Sequence, residues 1–257
     1  TLSRQLKDLE EELGQTLLIR KSHRVTLTPE GMLLRKRAEE IIAMVDKTQS
    51  EFVSLGNTVS GNVYIGGGET RVMKEIATVI RDIQTAFPAI HFHLYSGNAE
   101  DVTERLDKGL LDFGVLIQPA DLSRYQSLQL KGKDQLGVLM PKDSPLAAKK
   151  AIKKEDLLDL PLICSRQAIR RHINGNAFSH WFGEDFERLN IVSTFNLIYN
   201  AALLVEAGAG YAISLDGLTD TSRDSALCFR PLSPRLESRL AIVWKKDQVF
   251  SPVAQLF

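Results

Sequence analysis

The residues best equipped for chemistry stand at the start of this chain. Arg4 and Lys7 sit beside Ser3 and Gln5, and Arg20, Lys21, His23 and Arg24 follow in one short run. Guanidinium and ammonium groups hold phosphate oxygens, while arginine forks and amide side chains also read base edges. Two such clusters on separate segments suit contact with two neighbouring parts of a nucleic-acid duplex. A solvated basic face is the plainer reading of the same residues.

The surrounding pattern says what would position them. Leu2, Leu6, Leu9 and Leu13 step four, three and four, one face of a helix, with Arg4 and Lys7 projecting from the opposite side. Gly14 suits the left-handed residue that ends a helix. Leu17, Leu18 and Ile19 can close a small core before the basic tip, and Val25-Thr26-Leu27 alternates as a returning strand. Thr28-Pro29 is a helix start, Thr as N-cap and Pro at the first helical position. A helix followed by a basic β-wing is the winged helix-turn-helix pattern, in which a helix enters the major groove and the wing reaches the backbone.

The stretch SRQLKDLEEELGQTLLIRKSHRVTLTPEG resembles, nearly position by position, the DNA-binding segment of LysR-type transcriptional regulators. The shared residues are Ser3-Arg4-Gln5, Leu9-Glu10, Glu12-Leu13-Gly14, Leu17, Arg20, Arg24, Leu27-Thr28 and Gly31; Leu18 stands where the family commonly has Phe. The resemblance implies that Thr1 lies at or near the start of the recognition helix, that earlier helices of the head precede it, and that residues 1–28 are the rear part of a truncated DNA-binding domain. Thr1, Ser3, Arg4, Gln5, Lys7, Arg20, Lys21, His23 and Arg24 are the expected DNA-contacting residues, on a double-stranded operator.

Residues 29–58 carry a heptad seam: Leu34, Ala38, Ile41, Val45, Thr48, Phe52 and Leu55 alternate steps of four and three among charged residues. Such a seam needs a partner, either the chain's own globular part or another helix. The resemblance favours a linker helix that pairs with its copy in a second subunit, giving a homodimer or homotetramer. Gly56, Ser60 and Gly61 would end the helix.

The remainder alternates strand-like and helical runs, which argues for parallel sheets with crossover helices. Strands are expected at 63–65, 91–95, 113–117, 137–140, 161–164, 191–194, 210–213 and 240–244, with helices at about 71–86 and 98–108 and a last helix opening at Ser251-Pro252. This half also resembles the family's effector-binding domain. The matching features include Ile65-Gly66, Phe87-Pro88, Leu111-Asp112, Ser144-Pro145-Leu146 and Pro161-Leu162-Ile163. The implied architecture is an α/β, two-lobed, type 2 periplasmic-binding-protein-like effector domain behind a linker helix and a truncated winged helix-turn-helix. Lobe I is assigned residues 62–135 and 239–257, and lobe II residues 136–238.

In open α/β sheets ligands bind beyond the carboxyl ends of strands, near helix amino termini that favour anions. The strand-terminal polar residues there are Gly67, Gly68, Glu69, Thr70, Ser96, Asn98, Gln118, Ser165, Arg166 and Asn196. Because the resembled family often takes small carboxylates or amino-acid-like metabolites, an anion is the leading effector. Glu69 would repel an anion, pair with the ammonium of a zwitterion, or serve only as the first-turn acid of its helix. Arg166 would grip a carboxylate bidentately or lie on the surface beside Arg170 and Arg171.

Other motifs lead nowhere definite. Gly66-Gly67-Gly68 lacks the spacing of a nucleotide loop. His91 and His93 share a strand face without further metal ligands, so packing or exposure is the better reading, and no metal or cofactor is expected. Two cysteines, Cys164 and Cys228, fit a reducing compartment better than a disulfide scaffold. There is no nucleophile elbow, H-E-x-x-H or C-x-x-C. With 32 basic and 32 acidic residues the chain is not globally basic, so a local basic tip on a neutral body fits a regulator. No apolar run long enough to span a membrane occurs. The reading is therefore a cytoplasmic, effector-controlled regulator and not an enzyme. The alternatives are an enzyme or a transport-type solute-binding protein on the same two-lobed fold.

Overall fold

The computed structural model describes residues 1–21, 24–53, 60–118, 120–169 and 177–257, apart from the side chains of residues 50, 51 and 53. His23, Leu55, Arg170 and Arg171 therefore lie outside the described residues. The chain divides into two compact units, Thr1–Val53 and Ser54–Phe257.

In the first unit, helix α1 (Leu2–Leu13) ends on Gly14 at φ 64°, a conformation that costs glycine nothing. Leu6 and Leu9 of the leucine stripe are half-buried, while Leu2 and Leu13 remain exposed. Strands β1 (Leu18–Lys21) and β2 (Arg24–Leu27) form the antiparallel wing, with Lys21 opposite Arg24 and Arg20 opposite Val25. Helix α2 (Pro29–Val53) follows. Thr28 caps it by accepting from the Gly31 N–H at 2.9 Å, and its hydroxyl donates to the Thr16 carbonyl at 2.7 Å. A Cβ on Gly31 would lie 2.2 Å from the Leu17 carbonyl oxygen, so this close crossing of α2 over the start of the wing requires glycine.

The second unit contains strands β3 (Gly61–Gly67), β4 (Ile90–Ser96), β5 (Phe113–Ile117), β6 (Tyr125–Pro141), β7 (Leu162–Ser165), β8 (Ile191–Phe195), β9 (Tyr211–Leu215), β10 (Leu227–Pro231) and β11 (Glu237–Lys245). Between and after them stand helices α3 (Met73–Ala86), α4 (Ala99–Asp107), α5 (Ala177–Phe182), α6 (Ile198–Glu206) and α7 (Pro252–Leu256). The hydrogen-bonded order is β4-β3-β5-β11-β6-β9-β7-β8, with β10 also on β6. The path is continuous because β6 serves both lobes. Its first part, Tyr125–Gln135, pairs with β11, while Leu136–Leu139 pair with β9 and Gly137–Pro141 with β10.

The expected parallel sheets are thus mixed. β3 runs parallel to β4 and β5, and β7 parallel to β8 and β9, but β11 is antiparallel to both β5 and β6. β11 lies beside β5 because the chain crosses back into lobe I only at its end. The expected strand at 137–140 is the apolar end of the much longer β6, whose polar first part conceals its extended form.

Strand alternation builds a core on each face. In lobe I, Val63, Ile65, Phe113, Val115, Leu240 and Ile242 pack with Val72 and Ile76 on the α3 side. Leu116, Ala241 and Val243 pack with Val102 and Leu106 of α4 on the other. In lobe II, Val138, Met140, Cys164 and Ile213 pack with Phe178 and Phe182 of α5. Leu139, Ile163 and Ala212 pack against Ala201, Ala202 and Val205 of α6. A sheet covered on both faces holds strand ends and helix amino termini at fixed positions around the gap between lobes.

Candidate functional sites: a basic head and an interlobe cleft

In the head, Ser3, Arg4, Gln5 and Lys7 are exposed on α1, and Lys21 and Arg24 are exposed on the wing. Lys7 faces Glu11 at 3.9 Å and Arg20 faces Glu10 at 3.9 Å, both loose pairs that leave the cations in water. Arg4 and Arg24 make no ion pair among the described residues. Glu10 holds the wing in place: the Leu17 and Leu18 N–H groups donate to its Oε1 at 2.7 and 3.0 Å. Those two bonds hold its carboxyl below the ordinary value.

Along α2 the proposed seam is half-buried at Leu34 and Ala38 and open further on, with Ile41 64%, Val45 47% and Phe52 70% exposed. Ile42, 59% exposed, widens the same apolar strip. Arg35–Glu39 and Arg37–Glu40 pairs, each at 2.8 Å, run along the helix beside it.

The cleft of the second unit encloses a cavity of about 130 Å³. Its floor is the double crossing of the chain, where the Leu136 N–H donates to the Leu236 carbonyl at 2.9 Å. Of the sequence-predicted effector residues, Gly68, Glu69, Asn98, Gln118, Ser165 and Asn196 line it. Gly67, Thr70, Ser96 and Arg166 do not. Gly67 is buried in β3, where a Cβ would crowd Val115 at 3.2 Å. Thr70 is buried with its hydroxyl donating to Asp134 Oδ2 at 2.5 Å and accepting from the Val72 N–H at 3.0 Å. Burial pushes the Asp134 carboxyl up, and the Thr70 bond pulls the other way. Ser96 and Arg166 are exposed.

Several lining groups are already engaged by their own elements. Asn98 Oδ1 caps α4, accepting from the Glu100 and Asp101 N–H groups at 2.9 and 3.0 Å. Asn196 Oδ1 accepts from the Leu197 N–H at 2.9 Å. The Gln118 N–H donates to the Arg239 carbonyl at 2.8 Å, and its carbonyl accepts from the Ser238 hydroxyl. Glu69 reaches across the cleft, where its Oε2 accepts from the Ile198 N–H, the start of α6, at 2.9 Å.

The residues that sequence reading missed supply much of the wall. Phe178, Phe195, Ile198 and Ile213 make it apolar from lobe II, and Leu136, Leu236 and Glu237 come from the crossing strands. No strand-end signal marks the crossing residues. Glu237 is held below its ordinary value by the bond from Lys133 at 2.9 Å, with Arg235 also 2.9 Å away. His93 is exposed on the edge of lobe I, where it stacks on Tyr64 at 4.7 Å and meets Asn62 Oδ1 at 2.9 Å. Among the described residues no helix is long and apolar enough to cross a membrane.

Comparison with known proteins places these features in a family context. The model described as LysR substrate binding domain matches residues 56–257, and that described as bacterial regulatory helix-turn-helix protein, lysR family, matches residues 1–32. The HTH-type transcriptional regulator IlvY of Escherichia coli (strain K12) is 23% identical over 264 residues, covering 100% of this chain and 87% of that protein. A probable RuBisCO transcriptional regulator of Phaeodactylum tricornutum is 26% identical over 216 residues, 82% of this chain and 70% of its own length. Among solved structures, full-length CbnR complexed with target DNA is similar at a TM-score of 0.71 and 18% identity, covering 99% of this chain and 86% of that one. The effector binding domain of QuiR in complex with shikimate matches at a TM-score of 0.64 and 16% identity, over 77% of this chain and 93% of its own. These structures share the fold.

Proposed function

The chain belongs to the LysR family of DNA-binding transcriptional regulators with an effector-binding domain, and we propose that a small carboxylate or amino-acid-like metabolite, held between its two lobes, controls it. The family makes it a regulator rather than an enzyme on the same fold. The observation that carries the effector reading is the cleft itself. Apolar side chains from both lobes enclose it, and a few polar groups converge at strand ends and at the start of α6. QuiR, a structural neighbour, is described in complex with shikimate, which supports a small polar ligand for a cleft of this kind.

On this reading residues 1–28 are the DNA-reading head. Ser3, Arg4, Gln5 and Lys7 of α1 reach base edges and backbone in the major groove, and Arg20, Lys21 and Arg24 of the wing neutralise phosphates. His23 belongs to the same tip by sequence. Residues 29–58 join two copies through the α2 strip, since a twofold DNA site calls for paired heads. Lobe I, 62–135 with 239–257, and lobe II, 136–238, shift relative to each other when the effector favours one arrangement over the other. A regulator that acts on DNA in this way works in the cytoplasm.

A thermal-shift screen of small carboxylates and amino acids on the protein tests this. A ligand at about a hundred times its dissociation constant adds about 2.7 kcal/mol and raises the melting temperature. The same ligand should then alter operator affinity in a gel shift. A ligand that stabilises the protein without changing DNA binding in either direction would refute effector control.

A further inference from the structure

The side chain reaching the start of α6 belongs to the protein. Glu69 stands in the turn between β3 and α3 in lobe I, and Ile198 opens α6 in lobe II. α6 has no side-chain cap of its own, because Leu197 fills the N-cap position. The 2.9 Å bond from Ile198 N–H to Glu69 Oε2 therefore caps one lobe's helix with the other lobe's carboxylate. A carboxylate here gains from a charge-assisted bond and from the helix dipole, both strengthened by the apolar wall of Phe195, Leu197 and Ile198.

Two further contacts cross the same gap. Gln167, beyond β7, donates through Nε2 to the Ile117 carbonyl of β5 at 2.9 Å and accepts at 3.5 Å from the Ala99 N–H that opens α4. Arg71 pairs with Asp216 at 3.1 Å on the rim. The rim pair is half-exposed and contributes little. The Glu69 and Gln167 bonds both end on backbone groups, so neither can be made unless the lobes have closed to hydrogen-bonding distance.

We propose that Glu69 is a cross-cleft latch: its carboxylate is an internal ligand of α6 that holds the two lobes together, and an effector acts by competing with it for the α6 amino terminus. This deepens the effector reading above and rests on it for the last clause. An effector carboxylate cannot share that N–H with Glu69, because two like charges at one donor repel. Binding such a ligand releases the latch and changes the lobe arrangement, which supplies the differential affinity that control requires.

The test needs no effector and no DNA, so it separates failure of the latch from failure of the regulator reading. Spin labels are placed on exposed Arg81 of lobe I and exposed Arg223 of lobe II in the full protein, whose two native cysteines are buried. The interlobe distance is compared for the native residue, Glu69→Gln and Glu69→Ala, alongside amide exchange at Ile198. Loss of a charge-assisted bond speeds exchange at Ile198 about tenfold to a hundredfold in Glu69→Ala, with a longer and broader label distance and Glu69→Gln in between. An unchanged label distance in Glu69→Ala overturns the latch. Unchanged Ile198 exchange overturns the capping bond on which it stands. Far-ultraviolet circular dichroism confirms that each variant is folded before it is scored.

Discussion

Glu10 and Leu17 are joined by a 2.7 Å hydrogen bond from the Leu17 N–H to the Glu10 carboxylate, and the Leu18 N–H shares the same oxygen at 3.0 Å. A helix residue thereby satisfies two backbone donors at the entrance to the wing and sets the wing's position relative to the basic face of α1.

Those bonds lower the Glu10 carboxyl from its ordinary value of 4.5. The folded head holds that proton more weakly than the unfolded chain does. The stabilisation from Glu10 is therefore complete above the ordinary value and is lost as pH falls through the lowered one. Glu10→Gln should melt lower than the parent at pH 7, and the gap should shrink as the pH is taken toward 3. A gap independent of pH, followed by circular dichroism of the head unit, would remove the charge from this account.

Arg24 on the wing and Arg4 on α1 should separate in their effects on DNA. With a random-sequence duplex, Arg24→Ala should reduce the slope of log affinity against log salt by about 1, the signature of one lost phosphate contact. Arg4→Ala should cost about 1–3 kcal/mol on the operator and relax its sequence preference. Identical behaviour of the two variants in fluorescence anisotropy would contradict the division of labour between helix and wing.

The exposed strip of α2 should be a subunit contact. Ile41→Asp with Phe52→Asp places charges where a partner helix would bury two apolar side chains, each contributing about 1.5–3 kcal/mol when covered. Sedimentation should show the mass falling to that of a single chain at micromolar concentration. An unaltered mass would show that the strip faces something other than its own copy.

Cys164 lies fully buried in β7, and burial pushes its thiol up to about 12. At pH 8 it is protonated and shielded, and Cys228 is also buried. A thiol reagent such as DTNB should react slowly with the native protein and release close to two equivalents after unfolding. Fast reaction of a native thiol would require an opening that these packed strands do not provide.

Much of the head could be read from the sequence, because its information is local. The leucine spacing, Gly14, Thr28-Pro29 and the basic tip each act within a few residues, and α1, the wing and the start of α2 follow from them. The strand Phe113–Ile117 and the helix opening near Asn98 were legible for the same reason. The course of β6 was not. The largely polar residues 126–135 carry no strand signal of their own, and pairing with β11, which returns from the far end of the chain, makes them a strand.

The sequence by itself determined most of the elements, the basic clusters and the two-lobed class. The tertiary structure alone decided which strand-end residues face one another. Thr70 and Glu69 are adjacent and similarly polar, yet Thr70 turns to the buried carboxylate of Asp134 and Glu69 crosses to α6. That choice depends on partners 64 and 129 residues away, brought near by two lobes folding around a shared strand. Local spacing encodes which turn a residue occupies; it carries no record of what the rest of the chain sets opposite it.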